Sequence, residues 1–346
     1  MKKITLPLHP REATKKILRV LPNRRLREVI EKRYGLVSGE EETLEAIGKG
    51  YGITRERVRQ IEADALKRLS SAPALDLIRP VFVSFAKHLD DCGGVSEERS
   101  FFNSLAEKRF HPHLRLLFEL SPDMKRRVED EFYSNRLHRK AEVVEAAESA
   151  LKKTVDDLSS ARKLVSEERL FDMLSENART VFGYPVIREA LGSILGISKL
   201  IKKNPYGELG LEGWEEVSPS GVRDKAYVAF LRHGRPMHFT EAARAIDKAG
   251  WGAKKTHPQT VHNELIKDGR FVLVGRGLYA LREWGYEPGT VADVIVSVLK
   301  ETGGPLGKTD VIKKVLEKRR VKENTIFLNL QNKKRFKKTA GGYTLV

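Results

Sequence analysis

Cysteine is almost absent from this chain, because Cys92 is the only one in 346 residues. A single cysteine excludes an intramolecular disulfide and any zinc or iron–sulfur site that needs several thiolates. Long apolar runs are absent as well, and no stretch approaches the roughly 20 apolar residues that span a bilayer. The first residues lead into Pro7 and Pro10 rather than into an apolar signal core. We therefore expect a cytoplasmic protein without a membrane partner.

The motifs of catalytic and cofactor sites are also missing. Residues 303–309 resemble a phosphate-binding P-loop, but its first glycine would fall at Thr302 and no strand precedes it. His257 and His262 lack the i,i+4 spacing around a glutamate that a helical zinc site uses. No nucleophile elbow is evident. We therefore expect a protein that is not an enzyme and that needs no cofactor, metal or small-molecule ligand.

Acidic residues are in the minority. The chain has 64 Lys and Arg against 47 Asp and Glu, a formal net charge of +17. Most of the excess lies at the two ends: residues 1–72 hold 17 basic and 10 acidic residues, and residues 289–346 hold 13 and 5. Such a chain is attracted to polyanions, with nucleic acid ahead of an acidic membrane surface. Its length predicts several domains rather than one core.

Residues 11–72 have the pattern of a helix-turn-helix. Residues 11–34 are typical of helix interrupted near Pro22, with apolar positions three and four residues apart. Thr43 is a suitable N-cap for a short second helix, and Thr54 is a suitable N-cap for the next one. Residues 51–53 lie between these helices and predict a tight turn.

The helix that starts after Thr54 has two different faces. At about 100 degrees per residue, one arc holds apolar residues that would pack inward, namely Val58, Ile61, Ala65 and Leu69. The opposite arc holds long polar side chains, namely Arg55, Glu56, Arg59 and Gln60. In a major groove, Arg can bond guanine, Gln can bond adenine and Glu can accept from cytosine. On periodicity alone, a solvated face with local charge pairs is an equally good interpretation.

The literal sequence favours base readout. It reads RLREVIEKRYGL at residues 25–36, TLEAIG at residues 43–48 and GITRERVRQIEA at residues 52–63. These segments resemble region four of housekeeping sigma factors, over about 45 to 55 residues. The resemblance implies that the four polar residues read a minus-35 promoter hexamer in double-stranded DNA. It also implies RNA polymerase as a partner, with the flap region of its core as the docking site.

The same resemblance implies contacts to DNA phosphates, which fix register without reading sequence. The implied positions are Arg25, Arg33, Leu44, Glu45 and Arg57. Asp64 departs from the family, which commonly has a basic residue there, and this puts contacts at that end of the helix in doubt. No stretch resembles the promoter-opening helix of sigma region two, so we do not expect a complete sigma factor.

Residues 221–286 and 289–346 share an internal pattern. Arg270-Phe271 and Gly277 of the first copy recur as Arg335-Phe336 and Gly342 of the second. Each copy predicts three helices and then a two-stranded hairpin, at residues 270–274 with 277–281 and at residues 336–339 with 342–346, which is the order of a winged helix.

The first copy resembles the HARE-HTH domain, a family that includes the N-terminal domain of the RNA polymerase delta subunit and is proposed to bind DNA without a fixed target. Its third helix should begin near Pro258. As a possible second recognition helix, it would present Gln259, His262, Asn263 and Lys267.

The last copy has a basic hairpin, which predicts contacts to phosphates. The predicted contacts on it are Lys333, Lys334, Arg335, Lys337 and Lys338, with Lys318, Arg319 and Arg320 adding to them. Protein docking is the alternative, because many winged helices serve that role. Residues 141–217 predict a further winged helix. Residues 76–140 predict helices, and another winged helix is possible there. A plain helical spacer remains open for both of these segments.

We therefore expect a mainly α chain, in which a helix-turn-helix (residues 1–72) precedes tandem winged helices at residues 141–217, 220–286 and 289–346, with residues 76–140 helical and a possible further winged helix. The expected function is a DNA-binding, sigma-like transcription factor that recognises a minus-35-like element. Two alternatives stay open. One is an interaction protein that docks on RNA polymerase and competes with sigma. The other is a nucleoid or defence protein that binds DNA regardless of sequence.

Overall fold

The computed structural model describes residues 3–252, 254–286, 289–318 and 321–346. The chain forms two compact units, Met1–Lys202 and Lys203–Val346. Helices dominate both units, and short strands form small sheets beside them. The expected mainly α fold class is therefore confirmed. Within the described residues, no helix combines the length and the apolar character that crossing a membrane requires.

Four helices form the first module, which we call the HTH module: α1 (Pro10–Leu18), α2 (Arg24–Arg33), α3 (Leu44–Tyr51) and α4 (Arg55–Leu69). The hydroxyls of Thr43 and Thr54 cap α3 and α4, because each accepts a 3.2 Å hydrogen bond from a backbone N–H in the first turn. Gly52 ends α3 at φ 64°, a left-handed conformation that favours glycine. Gly52 and Thr54 therefore bound the turn between α3 and α4, as the sequence predicts, and Thr43 starts α3.

Helix α5 (Ala72–Asp76) leads into module 2. This module comprises α6 (Arg79–Asp91), β1 (Val95–Glu97), α7 (Glu98–Leu105), α8 (His111–Glu119), β2 (Lys125–Arg127) and β3 (Arg136–His138). Its sheet has the order β1-β3-β2, with Leu137 of β3 opposite both Ser96 and Arg126. This is the element order of a winged helix, in which α8 is the third helix and residues 128–135 form the wing.

The HTH module and module 2 share one hydrophobic core. Ile17 of α1 and Ile30 of α2 belong to the same buried cluster as Leu117 of α8. The core is continuous because α1 packs on α8 while α2 packs on α4, and the buried residues of all four helices belong to one cluster. The two modules are therefore one packed body, although the sequence presents them as separate segments.

Module 3 contains α9 (Ala141–Ala161), α10 (Glu167–Phe182) and α11 (Arg188–Ile197). Its last helix is tied to the wing of module 2, because the N–H of Ser134 donates to the carbonyl of Ile197 at 2.9 Å and Tyr133 forms a β-bridge with Ser198. A two-stranded sheet follows, made of β4 (Ile201–Lys203) and β5 (Leu209–Leu211). The division between the two units falls at β4.

The second unit contains the two repeated copies. Module 4 comprises α12 (Val222–His233), β6 (Met237–His238), α13 (Phe239–Ala249), α14 (Pro258–Lys267), β7 (Phe271–Gly275) and β8 (Leu278–Leu281). Module 5 comprises α15 (Val291–Thr302), α16 (Lys308–Lys318), α17 (Glu323–Leu330), β9 (Phe336–Thr339) and β10 (Gly342–Leu345).

The two copies repeat one topology. Module 4 has the strand order β6-β8-β7, the same arrangement as in module 2. In module 5 a single bridge between Leu306 and Tyr343 stands where module 4 has β6. Each copy has its own hydrophobic core, with Phe230 in one and Ile295 in the other. Both predicted hairpins are present, and their strands begin within one residue of the predicted positions.

Candidate nucleic-acid interface

Helix α4 presents the four predicted base-reading side chains to solvent. Its buried residues are those predicted from periodicity, namely Val58, Ile61, Ala65 and Leu69. Its exposed face begins at the N-terminus and carries Arg55, Glu56, Arg59 and Gln60. Thr54 fixes where this face starts, because its side chain caps the first turn. The arrangement leaves the N-terminal half of α4 able to enter a groove.

The polar side chains on this face bond to one another. Arg59 and Glu56 form a bidentate pair, with Nε to Oε2 at 2.9 Å and Nη2 to Oε1 at 2.7 Å. Hydrogen bonding to Arg59 holds the pKa of the Glu56 carboxyl below its usual range. Arg57 Nη1 donates to Oε1 of Gln60 at 3.1 Å. The predicted contact of Arg59 with a base would therefore have to replace its existing bonds to Glu56.

Three of the five predicted phosphate positions are exposed on the HTH module, and a fourth, Leu44, is half-buried against its core. Arg25 is exposed, and its guanidinium lies 5.3 Å from the ring centroid of Tyr51. Leu44 and Glu45 occupy the first turn of α3, where backbone N–H groups lack helical partners and suit an anion. Arg57 is exposed on α4.

Arg33 has a different environment. Its Nε donates to Oε1 of Glu62 at 3.0 Å, and its Nη1 donates to the carbonyl of Glu42 at 3.2 Å. These bonds join the end of α2 to α4 and to the segment before α3. At the other end of α4, Asp64 accepts two 3.1 Å bonds from Nε of Arg68. Asp64, the residue that departs from the family pattern, therefore neutralises the charge of Arg68.

The third helix of module 2 is buried against the HTH module instead of facing solvent. In α8, the buried residues are His113, Leu114, Leu116, Leu117 and Phe118. Nδ1 of His113 lies 2.7 Å from Oγ1 of Thr14 in α1. The wing of this module carries Glu129, Asp130 and Glu131 in succession. Neither the helix nor the wing of module 2 suits DNA, and sequence periodicity could not reveal this because buried and groove-facing helices share the same pattern.

In module 4, α14 begins at the predicted Pro258 and exposes Gln259, Asn263 and Lys267. The amide nitrogen of Gln259 donates to Oδ1 of Asn263 at 3.2 Å. Lys267 lies 3.5 Å from Glu264, which offsets its charge. His262 is half-buried, and its ring centroid lies 4.6 Å from that of Phe239 and 5.8 Å from that of Tyr279. Three of the four predicted side chains are thus exposed on α14, and the fourth, His262, packs against aromatic rings.

The basic residues of module 5 fall into two groups. Lys337 and Lys338 lie on β9, whereas Lys333, Lys334 and Arg335 precede that strand in the turn after α17. All are exposed, and Arg335 is also bonded, because its Nη1 donates to Oδ1 of Asp293 at 2.7 Å. Hydrogen bonds from Thr290, together with this one from Arg335, hold the pKa of Asp293 far below its ordinary value. Arg319 and Arg320 lie outside the described residues.

The structure also shows an ionic cluster that the sequence analysis missed. Arg270 binds Asp224, Asp268 and Glu215, at 2.8, 2.6 and 2.5 Å. The repeat of the Arg-Phe pair, as Arg270-Phe271 and Arg335-Phe336, could have pointed to this cluster. Both arginines bind the aspartate in the first turn of their module's first helix. Among the residues that the structure describes, no group of three or more His, Cys, Asp or Glu side chains is placed to hold a metal ion.

Comparison with known families identifies two segments. Residues 17–71 match the family described as "Sigma-70, region 4". Residues 222–284 match the HARE-HTH family, whose description includes the words "restriction endonuclease HTH domain". Both resemblances that the sequence implies are thereby confirmed. The two helix-turn-helix families support a DNA-binding, transcription-related protein.

Individual relatives match the HTH module. RNA polymerase sigma factor RpoS of Coxiella burnetii is 60% identical over 45 residues, which is 13% of this chain and 13% of that protein. RNA polymerase sigma factor SigA of Nostoc sp. is 51% identical over 59 residues, which is 17% of this chain and 15% of that protein. The likeness thus spans a small fraction of either relative.

Proposed function

We propose that this protein is a DNA-binding transcription factor, without catalytic activity, that recognises a minus-35-like promoter element through α4. The observation that carries the proposal is the exposed N-terminal face of α4, with Arg55, Glu56, Arg59 and Gln60 in the segment that matches sigma region four. Bidentate contacts from Arg to guanine and from Gln to adenine discriminate bases in the major groove. Arg25, Arg57 and the first turn of α3 bind the flanking phosphates and set the register.

RNA polymerase is the second proposed partner, because the relatives that match this segment are RNA polymerase sigma factors. The face of α1 that packs on α8 is closed to any partner. The loop between α2 and α3 remains open, and it exposes 83% of Val37. We place the polymerase contact, with the flap as its site, on this loop.

The decisive experiment compares affinities of the full chain for two duplexes, one with a minus-35-like hexamer and one with that hexamer scrambled, across a salt series. The Arg59→Ala variant is measured alongside. A preference of about tenfold or more, or about 1.4 kcal/mol, that disappears in the variant would support promoter recognition. Equal affinities for the two duplexes, unchanged by the substitution, would refute it.

Sequence-independent DNA binding is the second candidate function. It is favoured by the exposed Lys333, Lys334, Lys337 and Lys338, none of which has an ion-pair partner among the residues that the structure describes. Phosphate contacts of this kind give steep salt dependence without base preference. The same salt series separates the two candidates, because only this one predicts equal affinities with a steep slope.

A further inference from the structure

Helix α17 of module 5 has an exposed face that the sequence analysis did not identify. Ile326 and Leu330 are buried in the module's core. Asn324, Leu328 and the C-capping Gln331 follow one another at spacings of four and three, so they lie on one side of the helix. Leu328 is 60% exposed, although it is aliphatic. Two amides and one exposed aliphatic group thus form a single surface.

Helix α14 of module 4 has the same composition at the corresponding positions of the repeat. Gln259 and Asn263 supply the two amides, and Ile266, which is 63% exposed, supplies the aliphatic group. The aliphatic group stands one helical turn later than in α17. An amide can bond adenine N6 and N7, and an aliphatic group can contact the thymine methyl. Both faces therefore suit A·T base pairs in a major groove.

The charge around the two helices differs. Lys322 precedes α17, Lys333 and Lys334 follow it, and Lys337 lies on the adjoining strand, all of them exposed. Lys308 adds a further cation, 3.9 Å from the ring centroid of Phe327 in α17. At the places in module 4 that correspond to Lys333 and Lys334 stand Asp268 and Gly269, and at the place of Lys337 stands Val272. Lys254 and Lys255 precede α14 as Lys322 precedes α17, but Lys267 at the end of α14 lies 3.5 Å from Glu264. Only α17 is followed by a run of lysines without acidic neighbours at the equivalent positions.

We propose that α17 is a second base-contacting helix, which enters the major groove of duplex DNA through Asn324, Leu328 and Gln331 while Lys333, Lys334 and Lys337 bind the flanking phosphates. The occupant is B-form DNA, because the major groove of an RNA duplex is too deep and narrow for side chains to read. This inference rests on the proposed function only in requiring that the chain binds duplex DNA. It concerns different residues and a different stretch of the duplex.

The test begins with selection of preferred sequences from a pool of randomised DNA duplexes by the full chain. Affinities for a selected duplex and a scrambled one are then measured for Asn324→Ala/Leu328→Ala and for Lys333→Ala/Lys337→Ala. We expect the α17 variant to lose about tenfold in affinity for the selected duplex only, with an unchanged salt slope. We expect the lysine variant to weaken binding to both duplexes and to reduce the slope of log Kd against log salt by about two.

Matched variants make the result specific. Gln259→Ala/Asn263→Ala changes the equivalent face of α14 and should weaken binding to the selected duplex less than the α17 variant does, since Asp268, Gly269 and Val272 stand where lysines follow α17. Leu328→Met keeps an aliphatic side chain and should bind as the unmodified protein does. All the substituted residues are exposed, so thermal unfolding should be unchanged. An RNA duplex of the selected sequence should bind at least about tenfold more weakly.

Three outcomes would overturn the inference: an α17 variant that binds the selected duplex within about threefold of the unmodified protein, an equal loss on both duplexes, or equal affinity for the RNA duplex. Arg59→Ala separates this inference from the proposed function. If Arg59→Ala abolishes the hexamer preference while the α17 variant has no effect, promoter recognition stands and this inference fails. The reverse pattern supports α17 and refutes promoter readout by α4.

Discussion

Nη2 of Arg270 donates a 2.8 Å hydrogen bond to Oδ1 of Asp224, and thereby joins the start of the wing in module 4 to the first turn of α12. Asp224 is only 4% exposed. The repeat places Arg335 and Asp293 in the same relationship in module 5, at 2.7 Å, but there both side chains are close to half exposed. The same Arg–Asp ion pair is thus buried in module 4 and exposed in module 5.

Arg270→Met should destabilise module 4 by about 3 kcal/mol, because it leaves the buried Asp224 carboxylate without its main cationic partner. Arg335→Met is the matched control and should cost less than about 1 kcal/mol, because water can replace an exposed partner. Urea unfolding followed by the fluorescence of Trp251 and Trp284, which pack on the module 4 core, measures the first change. Circular dichroism measures the second. Equal losses would contradict the burial argument.

Glu56→Gln should reduce base discrimination by α4 although it removes no proposed contact to guanine. The substitution releases Arg59 from its bidentate partner and removes a negative charge, so affinity for any duplex should rise. The preference for the hexamer over its scrambled form should fall by about fivefold or more, as expected when Arg59 can bind any phosphate. Anisotropy titrations with both duplexes measure the ratio.

Asp64→Asn provides the control, because it removes the same charge from the other end of α4, where Asp64 binds Arg68. It should raise affinity for both duplexes and leave their ratio unchanged. An identical effect of the two substitutions on the ratio would show that Glu56 acts through charge alone.

Val37→Glu should weaken binding to RNA polymerase core by about tenfold, since it places a charge on an exposed apolar residue at the proposed contact. Val83→Glu, at a valine of α6 that is 61% exposed, introduces the same charge elsewhere and should have no effect. Co-purification with polymerase core distinguishes the two variants, and DNA affinity should be the same for both. Polymerase binding that neither substitution disturbs would exclude the loop as the contact.

The stability of the first unit should decline in mild acid because of His113. Burial lowers the pKa of this histidine to about 4, with Arg11 and His9 adding to the effect, whereas the unfolded chain titrates near 6.5. Below about pH 6.5 the unfolded state therefore binds a proton at this histidine, whereas the folded state stays unprotonated until the pH falls toward about 4. The stabilisation is complete above about pH 6.5 and is lost progressively as the pH falls toward about 4, by about 2 kcal/mol at about pH 5.

Urea midpoints at about pH 7.5 and about pH 5 measure this change. His113→Gln should flatten the dependence, and the remaining slope comes from other histidines whose pKa burial also lowers, such as His88 and His138. A slope that the substitution leaves unaltered would refute the assignment to His113.

Local features of this fold are predictable from sequence, and features set by tertiary contacts are not. The caps at Thr43 and Thr54 and the exposed face of α4 follow from residues within one or two turns, so composition and spacing predict them. The partners of Arg33 and Arg335 lie 29 and 42 residues away, and their identities decide whether an arginine faces a phosphate or the scaffold. The division into five modules stays a prediction, because sequence similarity covers only two of them.

The burial of α8 against α1 means that the HTH module depends on module 2 for its packing. A fragment that ends near residue 71, where the sequence similarity ends, would leave the apolar face of α1 in water and would deprive Thr14 and Tyr34 of their partners. Any chimeric protein that contains the HTH module must therefore also contain the chain as far as β3.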